Sequence, residues 1–204
     1  IAQCLVGSEM CIRDSNIPHL LPWPQKVAWN GKKFQYRGTF VSLTENFCSI
    51  GMEQPAGNKI TGNPSSHPAL SVKWVEDFPD IPLNRNEAYK LRVTSKGVEI
   101  EAITETGVYR AIQTLRQLTE KKGNGIAITG CEITDWPAFR IRGFMQDVGR
   151  TYISTDELKR EIAILARYKI NVFHWHLTEN QAWRLQSKVF PMLNDSVNTT
   201  RQPG

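Results

Sequence analysis

The segment from Gly143 to Leu177 constrains the fold more than any other part of this chain, because it runs through a short strand, a capped helix and a second, apolar strand without interruption. GFMQD (Gly143 to Asp147) has strand character, and Ser154 followed by Glu157 makes the capping-box pattern that opens a helix. That helix is expected over Thr155 to Tyr168. Its apolar stripe is Leu158, Ile162, Leu165 and Ala166, and Arg160, Glu161 and Arg167 face water. NVFHWHL (Asn171 to Leu177) is apolar enough to be covered on both faces, as a parallel strand is. The order is a βαβ unit, which opens either a doubly wound sheet or a (β/α)8 TIM barrel. A barrel takes roughly 250 residues. The stretch from Trp136 to the closing TTRQPG is far shorter, and after its second strand no third follows. The expectation is an N-terminal piece of a larger protein, with the barrel truncated after its second strand.

Upstream of Trp136-Pro137 the pattern is different. Pro22 and Pro24 force extended backbone, and Asn30-Gly31 predicts a tight hairpin turn before Phe34 to Tyr36. Gly, Pro, Asn and Ser mark loops between Gly51 and Pro82, with a strand at Leu70 to Val75. Ala88 to Val93 and Val98 to Ala102 alternate as strands around Thr94-Ser95-Lys96-Gly97, a hairpin with Gly where positive φ is wanted. Val108, Ala111, Ile112, Leu115 and Leu118 recur at helical spacing within Gly107 to Glu120, stopped by Gly123 and Gly125. Short strands follow at Ile126 to Ile128 and Cys131 to Ile133. The expected organisation is a non-native leader at 1–15, an α+β N-terminal domain at 16–135, and the incomplete beginning of a TIM barrel at 136–204.

The leader IAQCLVGSEMCIRDS has neither a basic start nor an apolar core, so it is not a signal peptide; it resembles a translated adapter. Setting it aside leaves Cys48 and Cys131, too few and too irregularly spaced for a disulfide framework or a zinc site, and best taken as buried thiols. The net charge of +5 is interspersed with acids, which argues against a nucleic-acid partner, and no apolar run is long enough to span a membrane. The tripeptides at Asn194 and Asn198 match glycosylation sequons, a pattern common by chance.

Chemistry concentrates at the strand ends. Alternation sends Val172, His174 and His176 to one face, so the two imidazoles point together. One use is a pair of metal ligands, but a catalytic zinc wants a third, and His19 and His67 fall elsewhere in the chain. A second use is hydrogen bonding in a polar pocket, and a third is simple burial as satisfied core histidines. Around them lie Arg140, Arg142, Asp147 and Arg150, then Glu179, Asn180, Trp183 and Arg184. Barrel active sites lie at the C-terminal ends of strands, and arginine forks, carboxylates and an indole face suit a neutral, hydroxyl-rich ligand. Any one of these arginines alone reads as a surface ion pair.

RIRGFMQDVGR (Arg140 to Arg150), RYKINVFHWHLTENQAWR (Arg167 to Arg184) and Phe190-Pro191 closely resemble the opening of the catalytic barrel in glycoside hydrolase family 20, the β-N-acetylhexosaminidases. AYKLRV, Gly107-Val108-Tyr109 and Gln113-Thr114-Leu115 resemble that family's N-terminal α+β domain. The resemblance implies an exo-glycosidase removing terminal β-linked N-acetylhexosamine from a glycan, by a retaining mechanism in which the substrate's acetamido oxygen is the nucleophile. It implies no cofactor and no metal, and an exported protein, periplasmic, outer-membrane-associated or secreted. It also implies sugar-binding or site-shaping roles for Arg142, Asp147, Arg150, His176 and Glu179. The acid/base Asp-Glu pair of the family's fourth barrel strand has no counterpart here, so the piece by itself is expected to be inactive. Glu179-Asn180 stands where the family usually has an acidic pair, and Gln146 where it usually has an apolar residue. Two rival readings are a metal-dependent barrel hydrolase using His174 and His176, and a non-catalytic carbohydrate-binding protein. On a regular strand Arg142 and Asp147 face opposite ways, which calls for a bulge or for Asp147 in a loop.

Overall fold

The computed structural model describes residues 18–44, 69–180 and 182–194. Expectations for the leader, Cys4, Cys11, Cys48, His67 and the residues completing both sequons lie outside that set. The chain divides into two compact units, the first ending at Trp136 and the second running from Pro137, with Pro82–Asn84 joined to it.

Among the described residues, the first unit is a mixed sheet with one long helix. Its strands are β1 (Lys26–Tyr36), β2 (Leu70–Trp74), β3 (Tyr89–Thr94), β4 (Gly97–Ala102), β5 (Thr119–Lys122) and β6 (Gly125–Asp135). They lie in the order β1-β6-β3-β4-β2, with β5 also on β6. β2 runs parallel to β4, and the other pairs are antiparallel. A one-turn helix α1 (Phe40–Thr44) follows β1, and α2 (Glu105–Gln117) follows β4. Period-two alternation decides the faces: Tyr89, Leu91 and Val93, with Val98, Ile100 and Ala102, are buried. Arg92 pairs with Glu132 and Lys73 with Glu101 among the opposite-facing, solvated residues.

The 3.6-residue stripe of α2 supplies Val108, Ala111, Ile112 and Leu115 to the same core as Leu91, Val93, Ile100 and Ile133. Thr104 caps its first turn by accepting from the Gly107 N–H, and Arg110 is tied to Glu87 at 3.0 Å. Three polar residues of this unit, Tyr89, Thr114 and Asp135, are buried as a connected set. The Tyr89 hydroxyl lies 2.6 Å from Thr114 Oγ1 and donates to Asp135 Oδ2 at 3.0 Å, while Asp135 Oδ1 accepts from the Gln25 N–H. Burial holds the Tyr89 hydroxyl well above its usual pKa. Cys131 is the buried thiol expected, pushed up to about 12 by burial and therefore inert.

Several local signals are put to other uses. Asn30-Gly31 does not turn a hairpin: β1 continues through it, and the register slips from Trp29↔Cys131 to Lys33↔Thr129. The pair forms a bulge. Gly31 takes φ 69°, Asn30 Oδ1 accepts from the Lys32 N–H, and Asn30 Nδ2 donates across the sheet to Val93 O. Gly97 lacks positive φ; it opens β4, where a Cβ would lie 3.1 Å from Ala69 O. The helix ends at Gln117, short of Glu120, because Thr119–Lys122 pairs with β6 around a turn in which Gly123 has φ 56°. The two short strands at 126–128 and 131–133 are a single strand, β6.

Gly107 gives a prediction whose sign burial decides. Inside a helix, Gly to Ala ordinarily stabilises by about 1 kcal/mol. Here a Cβ would stand 2.5 Å from Ala88 O, in the residue before β3, and 3.1 Å from Ala102 Cβ, at the end of β4. Gly107→Ala should therefore destabilise the first unit by about 1–3 kcal/mol, as overpacking does. Urea denaturation checks it, and a gain in stability would contradict it.

The second unit is built on β7 (Gly143–Asp147), α3 (Thr155–Arg167) and β8 (Val172–His176), followed by a small hairpin of β9 (Thr178–Glu179) and β10 (Ala182–Trp183). β7 and β8 are parallel, in unbroken register from Gly143↔Val172 to Asp147↔His176. The capping box forms: Ser154 Oγ accepts from the Glu157 N–H at 3.2 Å, and Glu157 Oε2 accepts from the Ser154 N–H at 3.1 Å. α3 ends in a Schellman motif, with Ile170 N–H on Leu165 O, Lys169 N–H on Ala166 O, and Lys169 at φ 63°. The expectation that the second strand is covered on both faces is not met. Within the described residues Val172 and Trp175 stay exposed, and only Leu158 is fully buried on α3, because the second unit supplies no further described helix or strand beside this βαβ segment to cover these faces.

Candidate functional site

The site grows from the register of two strands. With Gly143 opposite Val172, alternation places Met145 and Asp147 on the same face as His174 and His176, and Asp147 opposite His176 at the C-terminal ends. No shift interrupts this pairing, so Asp147 is the last strand residue and not part of the loop. Pairing reaches one residue further, where the Val148 N–H donates to His176 O at 3.0 Å.

The chain then folds back over the Asp147 carboxylate. Oδ1 accepts from the Gly149 N–H at 2.8 Å and from the Arg150 N–H at 3.1 Å, an Asx-type turn. This turn brings the Arg150 guanidinium home: Nε lies 3.3 Å from Asp147 Oδ2, and Nη2 donates to Glu179 Oε2 at 3.0 Å. Glu179, on β9, also accepts from the Asn180 N–H at 3.0 Å through Oε1. His176 closes the ring, with Nδ1 3.5 Å from Asp147 Oδ2 and Nε2 3.9 Å from Glu179 Oε2.

Backbone N–H groups, first that of Arg150, hold the Asp147 carboxyl below its ordinary range. The Asn180 N–H and then Arg150 do the same for Glu179. Both carboxylates are therefore ionised at neutral pH, and Arg150 neutralises one of the two negative charges. Arg150 is also the most open member, its side chain 61% exposed against 19% for Asp147 and 25% for Glu179. The ring offers acceptors from two carboxylates and donors from imidazole and guanidinium at one rim, the complement of vicinal hydroxyls. Its cation position is filled by a guanidinium. Among the described residues no three His, Cys, Asp or Glu side chains gather in a way that could hold a metal ion.

Two consecutive stretches of the chain match descriptions of one family. Residues 18–136 match glycosyl hydrolase family 20, domain 2, and residues 139–203 match the catalytic domain of the same family. The chain belongs to glycosyl hydrolase family 20.

Among curated family members, it is 42% identical over 159 residues to a beta-hexosaminidase of Porphyromonas gingivalis, covering 74% of this chain and 18% of that protein. It is 39% identical over 126 residues to a beta-N-acetylhexosaminidase of Cellulomonas fimi, covering 61% and 25%. Among solved structures, Flavobacterium johnsoniae chitobiase superposes with a TM-score of 0.68 at 27% identity, over 90% of this chain and 31% of that one. A family 20 exo-β-N-acetylglucosaminidase from Vibrio harveyi, in complex with N-acetylglucosamine, gives 0.65 at 28% identity, over 87% and 29%. The chain thus spans about a fifth of the length of the first curated relatives. The first unit corresponds to domain 2 of the family and the second to the start of its catalytic domain.

Of the residues singled out from sequence, Asp147, Arg150, His176 and Glu179 come together in this family 20 chain. His174 shares their face, its ring 6.3 Å from that of His176, but makes no bond to the carboxylates. Arg142 is not brought to the ring. It precedes β7 at the opposite end of the strand, where Nε donates to Lys169 O and Nη1 to Phe139 O, each at 2.8 Å. Asn171 ties the same corner, accepting from the Arg142 N–H and donating to Arg140 O. Sequence reasoning passed over Gly149, whose added Cβ would stand 3.0 Å from Glu179 Cβ and 3.3 Å from Asp147 Oδ1. The Asp-x-Gly-Arg spacing was the available signal, since an Asx turn brings a residue three places on back to the carboxylate.

Proposed function

We propose that this chain forms the N-terminal part of an exo-glycosidase that removes terminal, non-reducing β-linked N-acetylhexosamine from glycans. The reaction is a substrate-assisted retaining one, in which the 2-acetamido oxygen attacks the anomeric carbon. The observation that carries the reading is the ring of Asp147, Arg150, His176 and Glu179 at the C-terminal ends of adjacent parallel strands, within the catalytic-domain match. In this reading the ring binds hydroxyls of the terminal sugar and shapes the pocket. Arg142 contributes by the family resemblance, as a guanidinium fork for hydroxyls whose donors here rest on Phe139 O and Lys169 O. The acid/base carboxylates come from sequence beyond these residues, so the 204-residue chain alone binds weakly and does not turn over. In this reading, by the family resemblance alone, the protein is exported and is periplasmic, outer-membrane-associated or secreted.

The test is to express the complete reading frame and this chain in parallel and follow nitrophenol release from nitrophenyl N-acetyl-β-glucosaminide and galactosaminide. Turnover by the complete protein and none by the chain is the expected result. A folded complete protein that binds the sugar without hydrolysing it would point instead to a carbohydrate-binding protein.

A further inference from the structure

We propose that Arg184 is a positioning residue for this site, acting through Arg150; the proposal rests on the sugar-binding reading above. Arg184 follows β10 and is attached on both sides of the site. Its N–H donates to Leu177 O at 2.9 Å, its Nε donates to Val148 O at 2.9 Å, and its guanidinium lies 5.7 Å from the centre of the Tyr152 ring. The first attachment closes the β9–β10 hairpin that carries Glu179. The other two grip the loop after β7 on either side of Gly149 and Arg150.

The consequence follows from what each partner of Arg150 is fixed to. Asp147 belongs to the end of β7, and Glu179 belongs to the hairpin. The gap between the two carboxylates, which Arg150 bridges, is set by how closely the loop and hairpin are drawn together. Gly149 permits that approach, because any side chain there would press on Glu179 Cβ. An exposed arginine has many rotamers of similar energy, and two fixed carboxylates select one of them. A planar guanidinium can donate through Nε and stack on tyrosine at once, which a lysine ammonium cannot do.

A double-mutant cycle in the complete protein, with KM and kcat for the nitrophenyl sugar, tests this. Arg184→Ala should raise KM about tenfold and change kcat less than about twofold, the pattern of lost binding in both ground and transition states. In an Arg150→Ala background the same substitution should change KM less than about twofold, since residues acting through one another are not additive. Arg184→Lys should fail to rescue. Equal factors in both backgrounds would overturn the proposal, as would an unchanged KM in a folded Arg184→Ala protein. Should Arg184→Ala fail to fold, Tyr152→Leu removes the ring under the guanidinium at a residue 71% exposed. It should give a smaller KM rise that again disappears without Arg150, and an additive rise would overturn the proposal. Arg150→Ala alone with an unchanged KM would defeat the sugar-site reading, and this proposal with it.

Discussion

Replacing Arg150 by alanine is expected to raise KM of the complete protein for the nitrophenyl sugar by about 10- to 100-fold. The figure follows from charge-assisted hydrogen bonds worth about 1.5–3 kcal/mol each. Its melting stability should fall by less than about 1 kcal/mol, since the Arg150 side chain is 61% exposed and ion pairs in that setting are largely screened. Binding and stability separate because the substitution leaves Asp147 and Glu179 facing each other across His176 without their cation. The backbone N–H groups of Gly149, Arg150 and Asn180 survive it and keep both carboxylates ionised. A rim of two anions and no guanidinium still accepts hydrogen bonds but donates few. Arg150→Lys should recover part of the loss, because an ammonium supplies the charge without the fork. Steady-state kinetics beside a thermal melt measure both quantities, and an unchanged KM with an unchanged melt would remove the ring from the sugar site.

The second large effect concerns the fold. Leu115→Ala should cost the first unit about 3–4 kcal/mol, from lost transfer energy and the cavity left behind. Leu115 is 0% exposed, between α2 and the strands beneath it. That loss is a large part of the roughly 5–15 kcal/mol that stabilises a whole domain. Ile162→Ala on α3 removes the same three carbons from a side chain that sequence pattern alone would also assign to a core. At 44% exposure in this chain, it should cost less than about 1 kcal/mol. Urea unfolding of the three proteins, followed by tryptophan fluorescence, compares them directly. Similar losses for both substitutions would mean that the face of α3 is covered in solution.

That contrast marks where pattern ceases to inform. Hydrophobic period identified α2 and α3 equally well, since both carry an apolar stripe at 3.6-residue spacing. Period reports which face a helix would bury, and only neighbouring elements decide whether it is buried. Turn chemistry has a similar limit. Asn30-Gly31 supplies positive φ wherever the chain needs it, and whether that makes a hairpin or a bulge depends on β6 continuing alongside. The termination of α2 at Gln117 depended likewise on β6, which took Thr119 to Lys122 into the sheet.

What the sequence by itself determined is local and chemical. Ser154 and Glu157 make their capping box from four consecutive residues, and the alternation of Val172 to His176 puts both imidazoles on one face whatever surrounds the strand. The motifs around Arg142, Asp147 and His176 carried the family. Tertiary structure alone decided which of the polar residues meet. Asp147 and Glu179 lie 32 positions apart in sequence, and they converge because β7 and β8 pair in a register that ends both strands together. Arg142, five positions before Asp147, is carried by the same strand to its opposite end. A strand advances about 3.3 Å per residue, so neighbours in sequence are separated while distant residues are joined across the sheet.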